Sequence, residues 1–173
     1  IIGADSIKSE LIENNLVNLS IAGASMDYIS RALLQSIDTV KPDIVIVCYT
    51  YDCRRETQMI ATQGKITQIN PSVPDYVPGK DVDQEEFKSW FMTLNNHSNQ
   101  YNFDKNREMV KLICHKANVP LIESTVLDML VIQKDIAGKL GYLDKARDSE
   151  HFGPHVHKQF AKQIYDKWTL LKN

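Results

Sequence analysis

The strongest constraint on the fold is one short run, Asp43-Ile44-Val45-Ile46-Val47-Cys48-Tyr49, which follows a Lys41-Pro42 break. β-branched residues in unbroken succession, with no polar alternation, read as a strand covered on both faces. That is the habit of parallel sheets sandwiched by helices. Upstream, Leu16-Val17-Asn18-Leu19-Ser20-Ile21 alternates apolar and polar residues before Ala22-Gly23-Ala24, and reads as a second strand. Between the two, Met26, Ile29, Leu33 and Ile37 recur at helical spacing, and Ser25 or Asp27 can cap the start. Strand, helix and strand make a βαβ unit, which requires a right-handed crossover.

The pattern repeats toward the C-terminus. The spacing of Phe103, Met109, Val110, Ile113 and Ala117 predicts a helix over 102–117. A short strand follows at Val119-Pro120-Leu121-Ile122-Glu123, with the proline at its entrance where a missing N–H does little harm. Residues 125–140 have a helical period, stopped by Gly138 and Gly141. The last helix is predicted over 154–171. Pro154 suits its first turn, and Val156, Phe160, Ile164, Trp168 and Leu171 supply the buried stripe. Residues 57–100 differ: Pro71, Pro74, Pro78, Gly64 and Gly79 break them up, ahead of an amphipathic piece with Phe87, Trp90, Phe91 and Leu94. This reads as an excursion from the sheet, placed to roof a site beyond the strands' carboxyl ends. The aromatic set within it reads as a small satellite core.

Size and charge narrow the function. At 173 residues the chain fits one domain spanning 1–173. A formal net charge of −2 argues against a broadly basic nucleic-acid binder. The apolar run Ile44–Tyr49 is too short to cross a bilayer, so no membrane partner is expected. The start, Ile1-Ile2-Gly3, is not a signal peptide and lacks a Met, which is the expectation for a processed or truncated chain; the compartment stays unknown. Asn18-Leu19-Ser20 and Asn96-His97-Ser98 match the glycosylation pattern, but nothing indicates secretion. Cys48, Cys53 and Cys114 form no CxxC pair, and Cys48 at a strand end reads as core rather than nucleophile.

The chemistry-bearing segment is Ala146-Arg147-Asp148-Ser149-Glu150-His151-Phe152-Gly153-Pro154-His155-Val156-His157. Asp148 and His151 lie three apart, so one loop can present both. A carboxylate that accepts from one imidazole nitrogen fixes the tautomer and leaves the other nitrogen as a base. Standing alone, such a pair is more often a solvated loop. His151, His155 and His157 together invite a metal reading. Residues two apart on a helix face apart, however, and no acidic or Cys partner is placed by sequence, so a polar helix start is the better account.

The context of that pair, with its Gly-Pro turn, second histidine and Phe160-Ala161 in an amphipathic helix, resembles the final block of the SGNH (GDSL-like) hydrolases. Asn18 to Ser25 looks like the family's second block, whose Gly, here Gly23, lends a backbone N–H to the oxyanion hole. Lys41 to Asp52 looks like its third block, a buried strand ending in a G-x-N-D turn. Here that turn reads Tyr49-Thr50-Tyr51-Asp52, so Tyr51 stands where the family has its oxyanion Asn. Arg54, Arg55 and Glu56 follow, a turn similar to SGNH-like proteins encoded by phages and other viruses.

The resemblance implies a three-layer αβα domain of flavodoxin-like type around a central parallel sheet, with no metal or organic cofactor. It implies hydrolysis of an ester, such as an O-acetyl group on a carbohydrate. His151 would be the base, Asp148 its orienting partner, and Gly23 and Tyr51 the oxyanion donors. For the nucleophile two readings stay open. Gly3-Ala4-Asp5-Ser6 resembles the family's G-D-S, which makes Ser6 the nucleophile; alternatively the first strand and its Ser precede Ile1. A second function class also stays open: a binding or structural module, such as a virion or surface protein, that keeps the scaffold without the chemistry and meets a protein partner.

Overall fold

Four helices and four short strands are found among the residues that the computed structural model describes, namely 16–21, 24–58, 66–69, 94–147 and 151–171 with Glu85 and Ser89. The fold is mixed α/β with a short parallel sheet. None of the described helices is long and apolar enough to cross a membrane. The chain divides into two compact units. One holds Asp43–Tyr49 and the chain from Pro120 onward; the other holds Leu19–Pro42 and Thr50–Val119.

In the first unit, β1 (Val45–Tyr49) pairs in parallel with β4 (Leu121–Thr125), Val45 opposite Leu121 and Tyr49 opposite Thr125. The ladder opens with Val45 N–H donating to Pro120 O at 2.9 Å, so the proline lends its carbonyl and lacks only a donor. Thr125 then caps α3 (Val126–Leu140) in a reciprocal box. The Thr125 side chain accepts from Asp128 N, and Asp128 Oδ2 accepts from Thr125 N at 2.7 Å. Gly138 lies inside α3, and Gly141 ends it at φ 75°, a conformation glycine adopts without strain. The last helix, α4 (Pro154–Leu171), has the predicted bounds. Ile122, Met129, Ile132, Val156, Phe160 and Ile164 form one buried cluster, with Ile44, Cys48, Ile136, Phe152 and Trp168 packed around it. Each large side chain buried there contributes about 1.5–3 kcal/mol. The last turn of α4 lies beside β4, where Lys167 Nζ donates to Glu123 O at 2.8 Å.

In the second unit, α1 (Met26–Val40) starts at its Ser25 cap, whose hydroxyl accepts from Tyr28 N at 3.1 Å. It ends at Lys41, φ 48°, just before Pro42. α2 (Asn96–Ala117) packs against it, and β2 (Arg55–Gln58) pairs antiparallel with β3 (Ile66–Ile69). Buried Leu33 and Ile37 on α1, and Val110, Ile113 and Cys114 on α2, continue the apolar stripes. The rest of the α1–α2 contact is polar. Ser30 Oγ donates to Asn106 Oδ1 at 2.6 Å, and Asn106 Nδ2 donates to Asp27 Oδ1 and to Asn102 O, both at 2.9 Å. Asp27 Oδ2 accepts from Glu56 N at 3.0 Å, and Arg31 grips both Glu56 oxygens at 2.7 and 3.0 Å. Arg55 Nη2 donates to Ser98 O at 2.6 Å and to Asn99 Oδ1 at 3.2 Å.

Four expectations need correction. Residues 16–21 form no strand, and Leu16 is 63% exposed. Alternation becomes a strand only when a ladder takes up the backbone groups. Here the Leu19 carbonyl accepts from Tyr28 Oη at 2.9 Å and the Ile21 carbonyl from Ala24 N at 3.3 Å. Second, β1 is not covered throughout on both faces. Val45, Val47 and Tyr49 are buried, but Ile46 is 49% exposed because the α3–α4 layer packs over Ile44, Cys48 and Ile122 and leaves Ile46 out. Third, α2 begins at Asn96 rather than 102, set by Asn95, whose side chain accepts from Ser98 N at 2.9 Å while Ser98 Oγ accepts from Asn95 N at 3.0 Å. Fourth, the strand predicted over 119–123 occupies 121–125.

Candidate functional site

Ahead of α4 the residues on either side of 148–150 pair as two short antiparallel arms of a hairpin. Gly153 N donates to Asp144 O and Ala146 N donates to His151 O, both at 3.0 Å, on either side of an antiparallel bridge between Lys145 and Phe152. His151 thus sits on the return arm, main chain pinned and side chain exposed, three residues before α4.

The root of this hairpin is Asp144, a buried carboxylate that the sequence pattern does not single out. Its Oδ2 accepts from Val156 N at 2.9 Å, and its Oδ1 lies 3.1 Å from His155 Nδ1. Its carbonyl also takes Gln133 Nε2 from α3 at 3.2 Å. The carboxylate therefore caps α4 from outside the helix, where the free N–H groups and the helix dipole both favour negative charge. Burial opposes its ionisation. The Val156 N–H, the His155 ring and the His155 N–H outweigh that, and hold the Asp144 carboxyl below its ordinary range. The approach is so close that a Cβ on Gly153 would overlap the Asp144 carboxylate, so a larger residue there must displace it. No local sequence signal points to Asp144, because its partners lie nine and twelve residues along the chain.

His157 lies one turn into α4, part-buried, with no hydrogen-bond partner on Nδ1. Burial pushes its pKa down. A main-chain hydrogen bond at Phe152 and the charge of Asp144 work the other way, and a charged His151 would lower it further. A neutral imidazole is thereby favoured at this position. Among the described residues no three His, Cys, Asp or Glu side chains are grouped to hold a metal ion.

Of the residues singled out by sequence, Asp148, Ser6 and Gly23 lie outside the described residues. Tyr51 belongs to the second unit, in the turn after β1, exposed, with the Arg54 guanidinium stacked 5.4 Å from its ring centre. Arg54 Nη1 also donates to Thr50 Oγ1 at 2.8 Å, so the guanidinium ties the turn together. Cys48, opposite Ser124 in the ladder, has its thiol pushed up to about 11, by burial first and by Asp128 second. It stays protonated at neutral pH and serves as core, as its sequence context suggests. No family model, no curated protein and no solved structure matches this chain.

Proposed function

We propose that the chain is an SGNH-like serine hydrolase that cleaves an ester, an O-acetyl group on a carbohydrate being the favoured substrate class, on a three-layer αβα domain. In this reading a serine, Ser6 or one upstream of Ile1, attacks the acyl carbon. His151 takes the serine proton and returns it to the leaving alcohol, and Asp148 orients the His151 ring. The Gly23 N–H and the Tyr51 hydroxyl are its candidate oxyanion donors. No metal or organic cofactor enters the reaction. The observation that carries the reading is the state of His151: an exposed imidazole on a main chain pinned by Ala146, at the entrance to the last helix. A catalytic base needs that combination of access and fixed position.

The alternative is a non-catalytic binding or structural module. It is favoured by Tyr51, which carries an Arg54 stack in place of the family's amide. Assay of short acyl esters and acetylated sugars separates the two. The hydrolase reading expects turnover in the parent that His151→Ala removes, and a parent inactive beside an active hydrolase control ends it.

A further inference from the structure

We propose that Asp144 is the positioning residue for His151: it fixes the paired arms 144–146 and 151–153 to the start of α4 and so sets where the imidazole stands. The proposal rests on the reading of His151 as the base, and its structural half can be tested without any activity.

The argument is one of geometry. Asp144 is 4% exposed, yet it makes contacts in three directions. Through its carbonyl it closes the hairpin onto Gly153 and holds α3 by way of Gln133. Through its carboxylate it holds the first turn of α4 by Val156 N and the His155 ring. Gly153 then lets the return arm pass directly over that carboxylate. Gly153 is two residues from His151, so a shift of the arm at Gly153 is carried to the imidazole through Phe152. The other main-chain tie of the return arm, from Ala146 N to His151 O, lies inside the hairpin. It fixes the arms to each other, not to the rest of the unit. Phe152 packs against the α3–α4 core, and Asp144 adds the polar link from both arms to the helices.

The test uses the full chain and histidine ring correlation spectra. Asp144→Asn keeps the shape but removes the charge, and it should shift the His151, His155 and His157 ring resonances. It should also lower the titration midpoint of His157, whose charge Asp144 supports against burial and His151. His97 and His115, on α2, should not move. Ile132 and Ile164 methyl resonances report whether the core of the same unit is intact. Gly153→Ala should shift His151 likewise, because its Cβ meets the carboxylate. Made on top of Asp144→Ala, where the clashing atoms are gone, it should add little. In the ester assay, Asp144→Asn should lower kcat by about 10–100-fold with KM near the parent value, the pattern of a displaced catalytic group. An Asp144→Asn protein with an intact core and unmoved His151 resonances would overturn the proposal, as would full additivity of the two substitutions. If the parent has no esterase activity the hydrolase reading fails, while the spectra still decide whether Asp144 positions His151.

Discussion

The two helix pairs of this protein are sealed by different chemistries. α3 and α4 meet through Met129, Ile132, Val156, Phe160 and Ile164, all buried and all apolar. α1 and α2 bury apolar residues too, but Ser30, Asn99, Asn102 and Asn106 are buried alongside them, with Asp27 and Glu56 in the same hydrogen-bonded network. An apolar contact is non-directional and tolerates any residue of about the right volume. A buried polar network admits one register alone where its members are paired, as Ser30, Asn106 and Asp27 are here, and loses stability where one is not, as at Asn102 Nδ2. The difference predicts different responses to mutation: graded in the first unit, sharp in the second.

The largest effect is expected where the apolar cluster loses its biggest member. Phe160→Ala should cost about 3–5 kcal/mol, because transfer energy is lost and a cavity remains. Ile164→Leu, which keeps the volume, should cost less than about 1.5 kcal/mol. Denaturant unfolding of both variants tests the graded response, and equal losses would contradict it.

In the second unit the volume-conserving change should be the damaging one. Asn106→Leu takes the short acceptor from the buried Ser30 hydroxyl, which keeps only Asp27 O at 3.2 Å, and takes the amide donor from one oxygen of part-buried Asp27. Each such loss costs about 1–3 kcal/mol, so we expect about 2–4 kcal/mol in the same unfolding experiment. A loss below about 1 kcal/mol would show that the network is not selective, and the contrast between the two units would fall.

The same contrast explains how much was legible in the sequence. The bounds of α4 were legible, because Val156, Phe160 and Ile164 repeat at helical spacing and Pro154 marks the start, although Leu171, expected in the buried stripe, is 54% exposed. The start of α2, 96–101, was not. The helix first buries Asn99, Asn102 and Asn106, at the same helical spacing, but asparagines read as solvent-facing in a hydrophobic pattern. Asp144 was invisible for another reason: its partners Gly153 and Val156 lie nine and twelve residues along the chain, beyond any local rule. Residues 16–21 failed in the opposite direction, with a strand-like alternation but carbonyls taken by Tyr28 and Ala24.

Acid should test the first unit further. Asp144 and Asp128 both have pKa values below their ordinary range. Burial opposes ionisation in each. It is outweighed by Val156 N and His155 at Asp144, and by Ser124, Thr125 and Lys167 at Asp128. A carboxylate whose folded pKa lies below the unfolded value, about 3.9, adds stability that is full above that value and is lost as pH falls through the folded one. Stability should therefore drop below about pH 4. Asp144→Asn should be less stable than the parent at neutral pH but converge with it in acid. A constant gap between the two down to about pH 2 would mean that the charge of Asp144 contributes nothing.

The smallest effect separates a built ion pair from an incidental one. Arg31 and Glu56 form a two-pronged pair in which the carboxylate side chain is only 9% exposed, and the Glu56 backbone is itself held by Asp27. Lys162 and Asp166, four apart on α4, also meet at 2.6 Å, but with their side chains 63% and 54% exposed. Water and salt screen the second pair, and ordering two long side chains offsets much of its attraction, so Lys162→Ala should cost no more than about 0.5 kcal/mol. Arg31→Lys keeps the charge but loses the planar fork that reaches both Glu56 oxygens, and the Tyr28 ring beneath it loses its guanidinium. We expect about 1 kcal/mol, little changed between low and high salt because one partner is sheltered. Equal losses for the two variants, vanishing together in high salt, would place the Arg31 pair among ordinary surface contacts and leave specificity in the second unit to its buried asparagines and serine.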